Sequence, residues 1–355
     1  MAWVHADALE RFGSELLVGK GVRSDVAHHV AAGLVLASLR GVDSHGIRLL
    51  PHYVRALQAG RLNPDPMYRF DRTATATGRL DADDTFGLAA GAEGMRHAVE
   101  MAGEAGMGAV AVRNSSHFGM AAYFALMAAR QDMIGLAFTH ADALMLSHNG
   151  SRAFFGTNPI CFAAPCQDEE PFCLDMATTT VTWNKMLRVG EIEKSVPLGW
   201  GVDSEGIDTQ DPARVTALYP IGDYKGFGLG MMVEILCSLL TGMPFGRDIS
   251  RMYADPIESK RHLGHFFMAF QVDRFVDLVE FKSRIRSMMG EVRSEPPRDG
   301  EESVQVPGDP EKLNVRERTQ TGLPLADVEL QSLRDLADES ALEFPNVSES
   351  PFTHG

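Results

Sequence analysis

The sequence predicts an α/β fold, and two observations indicate this class. From about Thr73 onward, short apolar runs typical of strands alternate with longer segments whose apolar residues recur at helical spacing. The chain has 355 residues, of which 45% are hydrophobic and 23% charged, so it can bury a sizeable core in two domains or one large one. We therefore expect a globular protein in which an α/β region follows a helical amino-terminal region.

The amino-terminal region is expected to form two helices. Residues 24–25 are a suitable N-cap for a helix over 26–39, because Ser and Asp side chains accept hydrogen bonds from the first backbone N–H groups. A second helix is expected between His45 and Gly60, where apolar residues recur at helical spacing. The proline-bounded stretch 63–66 is expected to mark the first domain boundary.

The α/β part is expected to alternate strands with helices. Strands are predicted over 109–112, 134–139, 161–164, 172–175 and 265–272. Helices are predicted over 91–105, 119–129, 225–240 and 276–289, the third with Met231, Ile235, Leu236 and Leu239 on its apolar side. The last part of the chain is predicted to form a linker over 294–309, a helix from its N-cap Asp327 to Leu336, and a mobile tail from Pro345.

Composition argues against two classes of partner. The formal net charge is −15 and there is no dense basic stripe, so nucleic acid is not an expected partner. The longest apolar stretch, 231–240, contains Glu234 and is too short to span a bilayer, so no membrane is expected either. The four cysteines form no CxxC pair and the first residues lack a basic region followed by an apolar one, so we expect a reduced, cytoplasmic protein.

Two histidine clusters are the strongest indication of chemistry. His45 lies within Asp-Ser-His-Gly, and His117 lies within Ser-Ser-His-Phe-Gly. An imidazole flanked by hydroxyl groups can transfer a proton near neutral pH, and glycine lets a substrate approach the backbone closely. One such histidine is more often a structural residue. Two clusters together predict an enzyme.

Two further segments predict a ligand site, and each also has an ordinary explanation. Lys225 begins a glycine-rich helix, where its charge would suit an anionic or hydroxyl-rich ligand, although the glycines equally suit close helix packing. The segment 175–180 ends a strand with a carboxylate and hydroxyl groups, which equally suits a helix N-cap or a turn. No GxGxxG in a strand-to-helix context, P-loop or zinc motif is present, so neither the usual dinucleotide fold nor a metal site is predicted.

Eight short motifs follow one another at characteristic spacing. They are RGVDSHG at 40–46, SHFG at 116–119, GTNP at 156–159, DMATT at 175–179, GWGVD at 199–203, DP at 211–212, KGFGL at 225–229 and PGD at 307–309. In order and spacing these motifs resemble the type 2 malate/L-lactate dehydrogenase family. The resemblance covers roughly residues 20–325, and the run 242–247 is most similar to family members that act on ureidoglycolate.

The resemblance implies a fold that periodicity does not show. It implies a nicotinamide-binding α/β domain built on a large mixed sheet that is not a Rossmann fold, over residues 73–291. It also implies a helical substrate and dimerisation domain made from both chain ends, residues 1–72 together with 292–355. The expected assembly is a homodimer with its active site near the subunit interface.

The resemblance also implies the roles of individual residues. The acid/base candidates are His45 and His117, with Ser44 and Tyr53 beside them, and Asp142 matches an acidic position near the nicotinamide. The segments expected to contact the cofactor contain Asp175, Met176, Ala177, Lys225 and Gly226, and a late loop with Pro307, Gly308 and Asp309.

Two departures from the family pattern concern the substrate pocket. Many members carry arginine five residues after the motif serine, where it can pair with a substrate carboxylate, whereas this chain has Leu49 there and Arg48 one residue earlier. On a helix this displaces the side chain by about 100 degrees. We expect Arg48 to bind the carboxylate, the alternative being a solvated surface arginine. The stretch 143–150 also lacks the proline and paired glycines usual in the family.

The expected function is an oxidoreductase that depends on NAD or NADP, with NAD slightly favoured. It would interconvert a small 2-hydroxy acid, related to malate, lactate or ureidoglycolate, and its 2-oxo acid by hydride transfer, with a histidine moving the proton. The alternative enzyme is a reductase of cyclic 2-imino acids, whose chemistry is isoelectronic. A second alternative is a cofactor-binding module that has lost its activity.

Overall fold

The computed structural model describes residues 1–352, apart from the side chains of residues 191 and 192. The α-helices are α1 Ala6–Gly19, α2 Ser24–Leu39, α3 Leu50–Gln58, α4 Gly87–Ala105, α5 Ala122–Ala129, α6 Trp183–Glu193, α7 Tyr224–Glu234, α8 Leu278–Arg293, α9 Asp309–Thr321 and α10 Asp327–Glu339. The strands are β1 Ala2–Val4, β2 Arg69–Ala74, β3 Thr77–Asp81, β4 Met107–Ser115, β5 Met133–Thr139, β6 Met145–Leu146, β7 Ala153–Phe155, β8 Ile160–Ala164, β9 Phe172–Met176, β10 Gly201–Val202, β11 Ala217–Leu218, β12 Leu263–Gln271 and β13 Leu323–Leu325.

The main sheet has seven strands in the order β2-β3-β4-β12-β5-β8-β9. Strands β3 and β4 pair in parallel and the other neighbours pair antiparallel, so the sheet is mixed. Because β12 runs antiparallel to both β4 and β5, the carboxyl ends of β4 and β5 lie at the same edge of the sheet. Two antiparallel steps across β8 bring the carboxyl end of β9 to that edge as well. The predicted α/β class with a mixed sheet is confirmed.

The helices cover the sheet through small residues. Glycines in α4 lie against aromatic rings of the core, and a Cβ added to Gly94 would come within 2.8 Å of Phe267. A second sheet, in the order β10-β11-β6-β7, extends the molecule beside α7. One continuous hydrophobic core includes residues of both chain ends and of the main sheet.

The two chain ends meet in a third, two-stranded sheet. Strand β1 pairs antiparallel with β13, and Trp3 forms a further bridge with Ser348. The ring of Phe352 stacks on His5 with a centroid distance of 3.8 Å. The prediction of a mobile tail is therefore wrong for residues 345–352, because the sequence does not indicate that β1 offers this segment a partner. The rest of the predicted tail, 353–355, lies outside the described residues. The proposed division into two domains stays a prediction.

The predicted helix over 225–240 differs from the structure in its packing. It is α-helical to Glu234 and then forms a π-helical turn at Ile235–Leu239. The predicted apolar side of the helix is largely exposed, at 46% for Met231 and 61% for Leu239. The helix packs instead through small residues such as Gly230, where an added Cβ would lie 2.4 Å from Met145. The hydrophobic pattern predicted an apolar side of this helix, but the helix packs through a different side.

Several smaller expectations need correction. Helix α2 begins at Ser24 with Arg23 as its N-cap, and α10 begins at Asp327 with Ala326 as its N-cap, so neither predicted cap is right. The predicted linker over 294–309 is right up to Gly308, but α9 then begins at Asp309 and was missed. Strands β2 and β3 were also missed, because β2 is polar and largely exposed and offers no apolar periodicity.

No α-helix within residues 1–352 is long and apolar enough to cross a membrane.

Candidate active site

The site lies at the sheet edge where three strands end. His117 follows the end of β4, Asp142 follows β5, and Asp175 lies at the end of β9. The chain segment between α2 and α3 crosses this edge in two 3-10 turns, Asp43–His45 and Ile47–Leu49. The topology therefore places four predicted segments together although they are far apart in sequence.

Gly46 explains why the segment that carries His45 has this shape. The Ser38 hydroxyl accepts a hydrogen bond from the Ile47 N–H at 3.0 Å, which fastens the second turn onto α2. A Cβ at Gly46 would lie 2.2 Å from that hydroxyl oxygen. The close approach requires glycine, so the His-Gly pair has a structural reason as well as a chemical one.

The two imidazoles face one another across the site. The rings of His45 and His117 are nearly parallel, with a centroid distance of 5.6 Å. The Tyr53 hydroxyl lies 2.7 Å from His117 Nδ1, and the Ser44 hydroxyl lies 2.9 Å from His45 Nδ1. The structure thus brings together four residues predicted from the sequence, and each imidazole has one ring nitrogen engaged and the other available.

Burial keeps both imidazoles neutral at physiological pH. It lowers the pKa of His45 to about 4, with a smaller contribution from the positive charge of Arg48. Burial, followed by the neighbouring His45 and Arg261, lowers the pKa of His117 well below its usual value. Burial also raises the pKa of Tyr53, so its phenol stays protonated, and its hydroxyl oxygen can accept a hydrogen bond from Nδ1–H of the His117 tautomer whose Nε2 carries the lone pair. Neutral imidazoles can accept a proton from a substrate hydroxyl group.

A buried histidine links the ends of two strands behind the site. His265, on β12, lies 2.8 Å from the Ser115 hydroxyl through Nε2 and 2.8 Å from the Thr139 hydroxyl through Nδ1. Ser115 precedes His117 by two residues, and Thr139 precedes Asp142 by three. Burial lowers the pKa of His265 to about 3, so this link is uncharged. Sequence reasoning missed His265, since a histidine within an apolar strand indicates no particular role.

Asp142 is held by an arginine that the sequence also did not reveal. The Arg261 guanidinium is almost fully buried, and its Nη2 donates to Asp142 Oδ1 at 2.6 Å. The Met252 N–H donates to the other carboxylate oxygen at 3.4 Å. These contacts fix Asp142 beside the imidazoles. Arg261 lies in the segment between the 3-10 turn Gly246–Asp248 and β12, and this segment contains no recognisable motif.

Two adjoining cavities converge on His45. The larger, of about 420 Å³, is lined by His45, His117, Asp142, Asn184, Arg251 and Tyr253 among others. The smaller, of about 110 Å³, contains Asp175 and Arg40, and it shares His45, Thr157 and Thr182 with the larger one. An open groove of about 680 Å³ at the chain ends contains none of the predicted site residues. Paired cavities with an imidazole between them suit two reactants.

Asp175 lies on the wall of the smaller cavity. Its Oδ2 accepts a hydrogen bond from the Ala122 N–H at 2.7 Å, at the first residue of α5. Burial of the carboxyl group among protein atoms raises its pKa to about 6. The hydrogen bond from the Ala122 N–H acts in the opposite direction and has a smaller effect. The residue still reaches solvent through the open cavity. Met176 and Ala177 continue from the same strand end, and Ala177 also lines this cavity.

The other predicted cofactor segments lie beside β9. The amino end of α7, with Lys225 and Gly226, is fastened to the 178–180 segment by the Ile221 N–H, which donates to the Thr178 carbonyl at 2.9 Å. A Cβ at Gly226 would lie 2.2 Å from the Ile221 carbonyl oxygen, so close packing accounts for this glycine. Lys225 itself is exposed and lines neither cavity.

The late loop reaches the same strand. Gly308 has a φ of 96°, and a Cβ there would lie 3.1 Å from the Cys173 carbonyl oxygen of β9. The preceding Pro307 is part of the same turn. Asp309 accepts hydrogen bonds from Arg293 at 2.9 and 2.6 Å, so its carboxylate is engaged within the protein. The loop is next to the proposed cofactor segments, with Asp309 turned towards its own ion pairs.

Arg48 and Leu49 lie outside both cavities. The Arg48 Nε lies 3.6 Å from Glu329 Oε1 on α10, and Leu49 is buried in the core. Arg48 is close enough to His45 for its charge to lower the pKa of that imidazole. The expected contact with a substrate carboxylate stays a prediction.

Within residues 1–352, no three His, Cys, Asp or Glu side chains are grouped so that they could hold a metal ion.

Comparison with known proteins identifies the family. The sequence profile of the malate/L-lactate dehydrogenase family matches residues 4–334. Malate dehydrogenase of Pyrococcus abyssi is 34% identical over 341 residues, which is 93% of this chain and 93% of that protein. The chain belongs to the malate/L-lactate dehydrogenase family. Ureidoglycolate dehydrogenase (NAD(+)) of Escherichia coli K12 is 32% identical over 324 residues, which is 91% of this chain and 93% of that protein.

A solved structure gives the same result for the fold. Malate dehydrogenase from Entamoeba histolytica matches with a TM-score of 0.93 at 29% identity, covering 98% of this chain and 100% of that one. Membership of this family confirms the predicted nicotinamide-dependent oxidoreductase that acts on 2-hydroxy acids. The individual site residues stay predictions, and the geometry above is the basis for assigning their roles.

Proposed function

We propose that the chain interconverts a 2-hydroxy acid and its 2-oxo acid in the larger cavity, with His117 as the group that moves the proton. The observation that carries this assignment is the buried Tyr53 hydroxyl, which holds His117 Nδ1 at 2.7 Å and leaves Nε2 available to the cavity. His45, held by its neighbour Ser44, lies between the two cavities and orients the substrate. When bound, the nicotinamide ring would supply the hydride for reduction and accept it in oxidation.

The protonation states of the site residues determine the path of the proton. In the oxidising direction neutral His117 accepts the hydroxyl proton at Nε2, and in the reducing direction it returns that proton to the oxygen. Tyr53 keeps its own proton throughout, because burial raises its pKa, and it fixes the orientation of the ring. The Asp142 carboxylate, held by Arg261, stabilises the imidazolium that forms at His117.

The smaller cavity fits part of a nicotinamide cofactor. Gly119, Ala122 and Ala177 line it without bulky side chains, and Asp175 offers a carboxylate that can accept hydrogen bonds from sugar hydroxyl groups. We assign cofactor contacts to Asp175, Met176, Ala177, Lys225 and Gly226, and to the loop with Pro307, Gly308 and Asp309. Arg48 is proposed to contact the substrate carboxylate next to the reacting carbon. NAD is proposed as the preferred cofactor.

A homodimer is proposed from an exposed apolar face. The outer side of α7 and its π-helical turn carries large apolar side chains that the described part of the chain does not cover, namely Leu229, Met231, Met232, Ile235, Leu239 and Leu240. A face of this kind marks an interaction surface. Light scattering of purified protein is expected to give the mass of a dimer, and Ile235→Glu is expected to give a monomer.

Cytoplasmic location, the domain division and the distinction from a Rossmann fold also stay predictions.

The proposed function is tested by an assay panel. Purified protein is offered NADH and NADPH with 2-oxo acids, with cyclic 2-imino acids and, in the oxidising direction with NAD⁺ and NADP⁺, with ureidoglycolate. We expect oxidation of NADH with at least one 2-oxo acid. Turnover confined to imino acids, or none at all with a folded protein, would contradict the proposal.

A further inference from the structure

A positively charged side chain lies on the wall of the larger cavity. Both imidazoles are neutral at physiological pH, and Asp142 is compensated by the buried Arg261. Of the described residues that line this cavity, Arg251 is the only lysine or arginine. A cationic side chain on a cavity wall attracts the anionic part of a substrate. Arg251 is therefore placed to bind an anionic part of the substrate.

Arg251 is held in a way that leaves part of its guanidinium unused. Asp255 accepts hydrogen bonds from the Arg251 backbone N–H at 2.8 Å and from its Nε at 3.2 Å. Within the described chain, neither Nη group of Arg251 has a protein acceptor within hydrogen-bonding distance. The two Nη groups could donate to a carboxylate or another anion, which is the geometry that guanidinium suits best.

The position of Arg251 is fixed relative to the reacting groups. The next residue, Met252, donates its N–H to Asp142, and its carbonyl oxygen accepts from the buried Arg61 Nη1 at 3.4 Å. The loop that carries Arg251 is thus attached to the carboxylate beside His117. A substrate anion bound there would have a defined relation to the imidazoles.

Arg251 also lines a neighbouring cavity. This space, of about 390 Å³, is lined by Ala143, Arg247, Arg251 and Asp255 among others, and it shares Ala143 and Arg251 with the larger cavity. Arg247 is positioned there by its Nε, which donates to the Ala153 carbonyl at 2.9 Å, and by the Phe154 ring at 5.3 Å. Two guanidinium groups therefore line the cavity next to the one that contains His45 and His117.

We propose that Arg251 binds an anionic group at the end of the substrate remote from the reacting carbon, with Arg247 strengthening the site. The preferred substrates are then 2-oxo diacids and their 2-hydroxy forms, rather than monoacids. This inference rests on the proposed function, because it specifies the substrate class of the same site. Ala143, which has a small side chain, lines both cavities beside Arg251.

The test compares substrates that differ only in the remote anion. Arg251→Gln is assayed with oxaloacetate and with pyruvate at saturating reduced cofactor. Loss of a charge-assisted pair is expected to raise KM for oxaloacetate by about 10- to 150-fold, and to change KM for pyruvate by less than about twofold. Turnover at saturation should change little for either acid. Arg251→Lys should restore part of the preference, and Asp255→Asn should lower KM for the diacid by removing a competing carboxylate.

A matched control removes an arginine elsewhere. Arg284→Gln deletes an exposed guanidinium of α8 that is paired with Glu280, and it should leave both KM values unchanged. If Arg251→Gln raises both KM values equally, or neither, the assignment is overturned. Equal loss with Arg284→Gln would reduce the effect to overall charge, and would also overturn it.

Binding without turnover separates this inference from the proposed function. Calorimetric titration of malate and lactate needs no reaction. Malate binding that exceeds lactate binding in the wild type, and that Arg251→Gln abolishes, supports the anion site even if neither acid is oxidised; in that case only the proposed function fails. Equal binding of malate by the wild type and by Arg251→Gln contradicts the anion site.

Discussion

The two imidazole clusters look alike in sequence but differ in how the fold supports them. His117 follows the end of a central strand, its Nδ1 faces a fully buried phenol, and His265 fastens the strand behind it. His45 lies on a short 3-10 turn and is held by the hydroxyl of its immediate neighbour. Proton transfer needs fixed geometry, whereas orientation of a substrate tolerates adjustment. The difference supports the proposed roles, in which His117 moves the proton and His45 orients the substrate.

The largest expected effect comes from deleting each imidazole in turn. His117→Ala is expected to lower kcat by roughly 100- to 10,000-fold, because the variant lacks the imidazole that is proposed to exchange the proton with the substrate oxygen. His45→Ala is expected to lower kcat less and to raise KM more. Steady-state kinetics in both directions, with circular dichroism to check the fold, measure the difference. Near-native turnover of both variants would remove histidine from the mechanism, and a larger kcat loss in His45→Ala would reverse the two roles.

The next effect concerns the support behind His117. His265→Ala would leave the Ser115 and Thr139 hydroxyl groups without their partner and would open a cavity, so we expect a loss of about 2 to 4 kcal/mol in the free energy of unfolding. Urea denaturation measures this quantity. His28→Gln, which alters an exposed histidine on α2, is the control and should change stability little. A value for His265→Ala within the scatter of that control would show that the link does not support the strand ends.

A smaller effect is expected from the phenol alone. Tyr53→Phe removes one hydrogen bond to His117 and should lower kcat by about 5- to 30-fold, which corresponds to roughly 1 to 2 kcal/mol, with little change in KM. The control is Tyr123→Phe, because the Tyr123 hydroxyl lies 2.9 Å from His29 Nδ1 in a similar pair away from the two cavities. If the two variants lose activity equally, Tyr53 has no special part in holding the reacting imidazole.

A gradual effect, spread over several pH units, is a pH dependence of stability. Burial lowers the pKa of His265 to about 3 from an ordinary 6.5, so the unfolded chain binds the proton more readily than the folded one. The stabilisation is complete above pH 6.5 and is lost progressively as the pH falls towards 3, by at most about 1.4 kcal/mol per pH unit. His265→Gln cannot titrate. Its unfolding free energy should fall less steeply between pH 6.5 and 4 than that of the wild type, and parallel curves would contradict the assigned pKa shift.

Local pattern predicted much of the sheet and part of the site. Strand β5 was predicted to within one residue, since an apolar run between a helix and a polar turn has few other structures open to it. The short strands β6, β10 and β11 have two residues each, which is too few for any periodicity. His45 and His117 were found because hydroxyl groups and glycines mark them locally.

The residues that were missed depend on contacts distant in sequence. His265 meets Ser115 across 150 positions, and Arg261 meets Asp142 across 119. Nothing near either residue indicates its partner, because the strand order that brings them together is a property of the whole sheet. Arg251 was missed for the same reason, since its cavity forms only when its loop attaches to the end of β5.

Chemical rescue with added imidazole tests the assignment of the proton most directly. His117→Ala leaves a space in the cavity wall that a free imidazole can enter, next to the Tyr53 hydroxyl. The account predicts that imidazole restores turnover of His117→Ala in a saturable manner and with a dependence on the pKa of substituted imidazoles, and that it does not restore His45→Ala. Rescue of His45→Ala but not of His117→Ala would contradict the account and assign the proton to the other cluster.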